Sequence, residues 1–206
     1  MRSAFDKLIS GAGVALAVAL LAAGGLLTWA HAFIGNQVHD QLTGQAITMP
    51  SGPALAALPA ADAAALRPYA GSLLDTGPEA KAYANHFIAV HLREMASGKT
   101  YAEVSGEFVT MTDQQKASPA GQQLAALRQN LFMGDTLRGL LLYGYAFATV
   151  GTIAGIAAWV SFGAAAVLLL LVALGIRHAR RAAADETHAA EPGIGRRVGH
   201  RVAQPV

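Results

Sequence analysis

Two long apolar runs, residues 8–34 and 137–176, the second with Arg138 near its start, constrain this chain more than any other feature. Neither contains a proline. In the first the only ionisable side chain is His31, and within 139–176 only Tyr143 and Tyr145 titrate. A helix needs roughly 20 apolar residues, at about 1.5 Å rise each, to cross a bilayer core. Both runs are long enough. They also explain the composition, with 53% hydrophobic and 14% charged residues, where soluble domains carry about 25% charged.

Charge is distributed unevenly. Residues 35–135 hold six Lys/Arg and nine Asp/Glu, and residues from Arg177 onward hold six Arg and three acids. Basic residues at both ends, Arg2 and Lys7 before the first run and Arg177, Arg180 and Arg181 after the second, mark those ends as cytoplasmic. There is no cysteine, which excludes disulfides and thiolate metal sites. The arginine cluster suits anionic lipid headgroups. As an address for nucleic acid it is weak.

The first run resembles a secretory signal, with Ala30-His31-Ala32 as a cleavage-like triplet. Its apolar core is longer than the usual 7–15 residues of a signal peptide, so we expect an uncleaved anchor. The second run is long enough for a hairpin. The only turn candidates near its middle are Ser161, Phe162 and Gly163, which is poor turn chemistry. A single long helix fits better. Trp29 then falls 22 residues after Lys7, and Trp159 falls 18 residues before Arg177. Both suit the outer interface, where tryptophan is enriched. On that reading residues 139–158 project roughly 30 Å beyond the membrane. Their apolar side chains must be covered by the central region, by an extension of the first helix through Phe33, Ile34, Val38 and Leu42, or by a partner.

Small residues form candidate packing faces in both runs: Gly11, Ala15, Ala19 and Ala22 in the first, and Gly144, Ala148, Gly151, Gly155 and Ala158 in the second. Small faces let helices approach closely. They point to pairing within the chain or with a partner helix.

Turn signals divide the region between the runs into short helices. Residues 44–52 read as a loop, and the Ala-rich stretch 53–74, broken by Pro59 and Pro68, as helical turns. Thr76-Gly77-Pro78-Glu79 opens a helix that Gly98 closes. Thr100 with Glu103 is a capping-box pattern, and Ser118-Pro119 starts another helix. Gly134-Asp135 reads as punctuation before the second anchor. The expected fold is an all-α membrane protein, with two long transmembrane helices flanking a small helical extracytoplasmic domain. Its parts are a cytoplasmic N-terminus (1–7), a first transmembrane helix (8–34), the extracytoplasmic domain (35–138), a long second helix (139–176, spanning the membrane from about 155) and a disordered basic cytoplasmic tail (177–206).

No catalytic pattern stands out. His86 and His91 are five apart, about 140° round a helix, so one metal cannot take both. His91 and Glu94 share a face but make only two ligands. Glu103 and Glu107 read as solvated surface, and His31 and His39 as interfacial residues. Neither anchor carries a deeply placed acid or base of the kind that marks an ion path. No cofactor is expected.

Three stretches, residues 47–50 (ITMP), 80–101 (AKAYANHFIAVHLREMASGKTY) and 136–147 (TLRGLLLYGYAF), carry a resemblance to an uncharacterised actinobacterial membrane family. Some of its members bear the label of aromatic ring-opening dioxygenase. That chemistry commonly needs two histidines and a carboxylate on one metal, which His86 and His91 do not offer. The resemblance implies topology and an actinobacterial source, and supplies no activity or site residues.

These observations favour a non-catalytic accessory or scaffold protein of the cell envelope, packing against a larger membrane assembly, respiratory or transport, or against its own copies. One alternative is an extracytoplasmic ligand sensor with a pocket lined by Tyr83, Phe87 and Tyr101. An envelope enzyme ranks last.

Overall fold

The structure is a computed structural model. It describes the backbone of Arg2–Ala190 and the side chains of residues 8–182 and Ala184. Among the described residues it is helical, apart from loops and one isolated bridge pairing Thr48 with Leu73. Two helices are long and apolar enough to cross a membrane: α1 (Arg2–Thr43) and α8 (Pro119–Ala190). Between them lie α2 (Gly52–Ala56), α3 (Ala60–Leu66), a 3-10 turn (Arg67–Tyr69), α4 (Gly77–Tyr83), a π turn (Ala84–Ile88), α5 (Ala89–Met95), α6 (Tyr101–Thr110) and α7 (Asp113–Ala117). The chain forms two compact units.

One unit joins α1 as far as Gly25 to α8 from Trp159. Here the helices meet through small residues. A methyl group at Gly13 would lie 2.6 Å from Val172 Cγ2, and one at Gly24 2.7 Å from the Phe162 ring. Ala17 and Ala165 are fully buried. The expected stripe of Gly11, Ala15, Ala19 and Ala22 is instead exposed, and nothing comes within 4 Å of a Cβ at Gly11. The contact face is offset by two residues, about 200° round the helix. Residue size offered both faces. Val172 and Phe162, inserting at Gly13 and Gly24, select one.

The other unit is Leu26–Ala158. Its main core gathers Met49, Leu66, Leu74, Ala80, Ala84, Val90 and Leu141, with Val38 and Leu42 of α1. A second cluster holds Ala96, Val104 and Leu131, flanked by Leu92, Tyr101, Leu124 and Leu127. Burying the Val, Leu and Met side chains among them stabilises by roughly 1.5–3 kcal/mol each. The small-residue stripe of α8 is the packing face here. Gly144 lies against Leu42, Ala148 against Gly77, Gly151 against Ile34 and Gly155 against His31. Ala158 is also buried.

Local signals set the helix starts. Thr76 donates from both its N–H (3.0 Å) and its hydroxyl (2.7 Å) to Glu79 Oε2 at the head of α4. Thr100 and Glu103 exchange hydrogen bonds at the head of α6. Ser118 Oγ accepts from Gly121 N–H at the start of α8. After α5, Gly98 takes a left-handed φ of 86° and its N–H reaches Arg93 O at 2.7 Å, closing the helix.

Two sequence expectations change. Gly134-Asp135 does not interrupt α8, because Gly134 is the place where Leu92 packs against the helix and a Cβ there would collide with it. As expected of a single long helix, α8 runs without a turn through Ser161, Phe162 and Gly163. It continues through residues 177–190, where a disordered tail was expected. Ala, Arg and Glu are strong helix formers, and Pro192 is the first breaker. The rest of the expected tail, 191–206, lies outside the described residues.

Candidate functional site

In the Leu26–Ala158 unit α8 presents two contrasting surfaces. One is the packed face of Leu141, Gly144, Ala148, Gly151 and Ala158. The other carries Leu140, Tyr143, Phe147, Val150, Ile153 and Ile156, each more than half exposed. Steps of three and four residues keep these side chains in one winding stripe. On α1, Leu26, Trp29 and Phe33 are exposed at the same kind of spacing, with the Trp29 and Phe33 rings stacked at 5.4 Å.

The expected chemical candidates disperse into structural roles. His86 Nδ1 lies 2.8 Å from Asp62 Oδ1, tying the π turn to α3. His91 Nδ1 donates to Phe87 O, one turn back on its own helix. Glu103 serves the cap of α6, and Glu107 receives Lys99 Nζ at 2.7 Å. His39 faces Asp75 at 3.8 Å. Among the described residues no three of His, Cys, Asp or Glu come together as a metal-binding group.

The proposed sensor pocket also divides. Tyr83 and Phe87 stack at 4.9 Å beside the main core. Tyr101 packs on Phe132 at 5.8 Å beside the second cluster. Burial raises the pKa of Tyr83 above the ordinary phenol range.

Glu79 is the buried carboxylate of the core. Burial pushes its pKa up. Hydrogen bonds from the Thr76 hydroxyl, the Asp75 N–H, the Ser72 hydroxyl and the Thr76 N–H outweigh that and hold it below the usual carboxylate value. It is a structural anion with a full set of donors.

Two features went unread in the sequence. His31, expected as an interfacial residue, places Nδ1 2.7 Å from Gly151 O and sets its ring against Gly155. The available signal was a lone histidine in an apolar run, matched by two glycines one turn apart in the other. The second is the π turn, which brings Asn85 Oδ1 within 3.1 Å of Arg138 Nη2. No spacing rule marks such a turn in advance.

Trp29 is 66% and Trp159 80% exposed, and Arg177, Arg180 and Arg181 are all exposed on α8. No protein-family model matches the chain, and neither curated proteins nor solved structures yield a match.

Proposed function

We propose that this chain is a non-catalytic accessory or scaffold protein of the cell envelope. α1 and α8 anchor it in the plasma membrane, both chain ends lie on the cytoplasmic side, and the small helical domain lies outside. Its partner is a larger membrane assembly, respiratory or transport.

The anchoring rests on exposure as well as composition. The most apolar windows of α1 and α8 have mean hydropathies of 2.0 and 2.4, yet only 11% of each window is buried. A core helix of a water-soluble protein would hide most of such a surface. Lipid is the solvent that fits it. The exposed tryptophans suit an interfacial belt, and the exposed arginines suit the cytoplasmic edge.

The observation that carries the accessory role is the exposed stripe Leu140, Tyr143, Phe147, Val150, Ile153 and Ile156. If α8 leaves the hydrocarbon near Trp159, this stripe stands in water. Uncovered, it is a liability. Covered by a membrane protein, it is a docking face.

The test is gentle detergent extraction followed by native electrophoresis of the wild type and a Phe147→Glu/Ile153→Glu variant. Both positions are exposed, so the variant keeps its helical circular dichroism. The wild type migrates in a larger assembly and the variant runs free of it. Migration of the wild type as a bare monomer would overturn the proposal.

A further inference from the structure

Towards its C-terminal end α8 carries Arg177, Arg180 and Arg181. The i, i+3, i+4 spacing puts all three on one helix face. With Ala173, Ile176 and Ala184 they line an open depression of about 320 Å³. All six residues lie on α8, with Ala173 and Ile176 towards the apolar run, the three arginines next and Ala184 beyond them. Guanidinium groups offer planar forks of donors that match pairs of phosphate oxygens. Asp185 and Glu186 follow four and five residues after Arg181, roughly one turn further along a helix, so the cations come first after the apolar run.

We propose that this depression binds the phosphate group of an anionic phospholipid, with its apolar side against Ala173 and Ile176. The inference rests on the reading that α8 crosses the membrane. On that reading the depression lies at the bilayer surface, where anionic headgroups attract each nearby Lys or Arg. A free phosphate ion offers the same oxygens to the arginines. It gains nothing from Ala173 and Ile176, which favours the lipid.

The full-length protein is reconstituted into nanodiscs of equal parts phosphatidylglycerol and phosphatidylcholine. It is then released into mild detergent and the retained lipids are counted by native mass spectrometry. Wild type retains phosphatidylglycerol in preference by about tenfold or more. R177Q/R180Q/R181Q falls to near parity. R177K/R180K/R181K keeps the charge that orients the helix but loses the planar fork, and retains an intermediate preference.

Parity in the wild type, or an undiminished preference in the glutamine variant, overturns the site. Binding of inorganic phosphate to the lipid-free protein as tight as that of the lipid overturns the lipid as ligand. Alkaline carbonate extraction separates the two readings. Chains that resist extraction but show parity refute the lipid site alone, and chains that are extracted refute the membrane reading together with it.

Discussion

The imidazole of His31 fills the space that a side chain at position 155 would need: a Cβ on Gly155 would lie 2.9 Å from His31 Nδ1. The same nitrogen is 2.7 Å from the carbonyl oxygen of Gly151. One polar ring in an apolar run thus joins two helices by shape and by a hydrogen bond, and Gly155 and Gly151 make the room.

Gly155→Val is expected to destabilise the protein by about 1–3 kcal/mol through overpacking. His31→Ala is expected to cost about as much through a lost hydrogen bond and a cavity. The double variant should be less destabilised than the two effects added, because valine occupies the vacated space. Thermal unfolding in detergent measures all three. Strict additivity would show that the residues do not meet.

Glu79 supplies a pH-dependent part of the stability. Its folded pKa lies below the ordinary value of a free glutamate, about 4.3. Its contribution is therefore fully present above that value and is lost as pH falls through the lower, folded pKa. Wild type should lose stability below about pH 4.3, and Glu79→Gln should show a smaller acid-induced loss with lower stability at neutral pH. Glu79→Ala strands several donors and is expected to cost about 2–4 kcal/mol. Melting curves between neutral and acid pH decide this; an unchanged acid slope in the glutamine variant would contradict it.

Gly134 and Gly139 should respond in opposite directions. A Cβ at Gly134 meets Leu92, whereas nothing lies within 4 Å of one at Gly139. Gly139→Ala should stabilise by roughly 0.5–1 kcal/mol through helix propensity. Gly134→Val should destabilise by about 1–3 kcal/mol and be partly rescued by Leu92→Ala. Equal effects at both positions would mean that Leu92 does not pack on α8 as described.

Trp29 and Trp159 report the proposed bilayer position. In single-tryptophan variants reconstituted with brominated lipids, bromines near the headgroup should quench each residue more than bromines near the chain ends. Stronger deep quenching of either residue would move the boundary and weaken the case for a stripe standing outside the membrane.

The candidate surface was half legible in the sequence. Composition singled out residues 139–158 as an apolar surplus, but only packing sorted its members. Leu141 is fully buried, and Leu142 is partly buried against the core. Leu140, Tyr143, Phe147, Val150, Ile153 and Ile156 are left exposed. Tyr83 and Phe87 pack beside the main core and Tyr101 beside the second cluster, a sorting the sequence did not carry for a related reason. Aromatic character can be read from one residue, whereas a shared pocket depends on which helices the residues pack against.

The sequence by itself determined what depends on short-range chemistry. Two long apolar helices follow from hydropathy. The openings at Thr76, Thr100 and Ser118 follow from side chains that satisfy nearby backbone groups. Tertiary structure alone decided which small stripe of α1 meets α8, why Gly134 does not break the helix, where the π turn falls and what His31 touches. Each of these depends on which side chain arrives opposite a given residue from more than 20 positions away in the chain, and local pattern carries no record of that register.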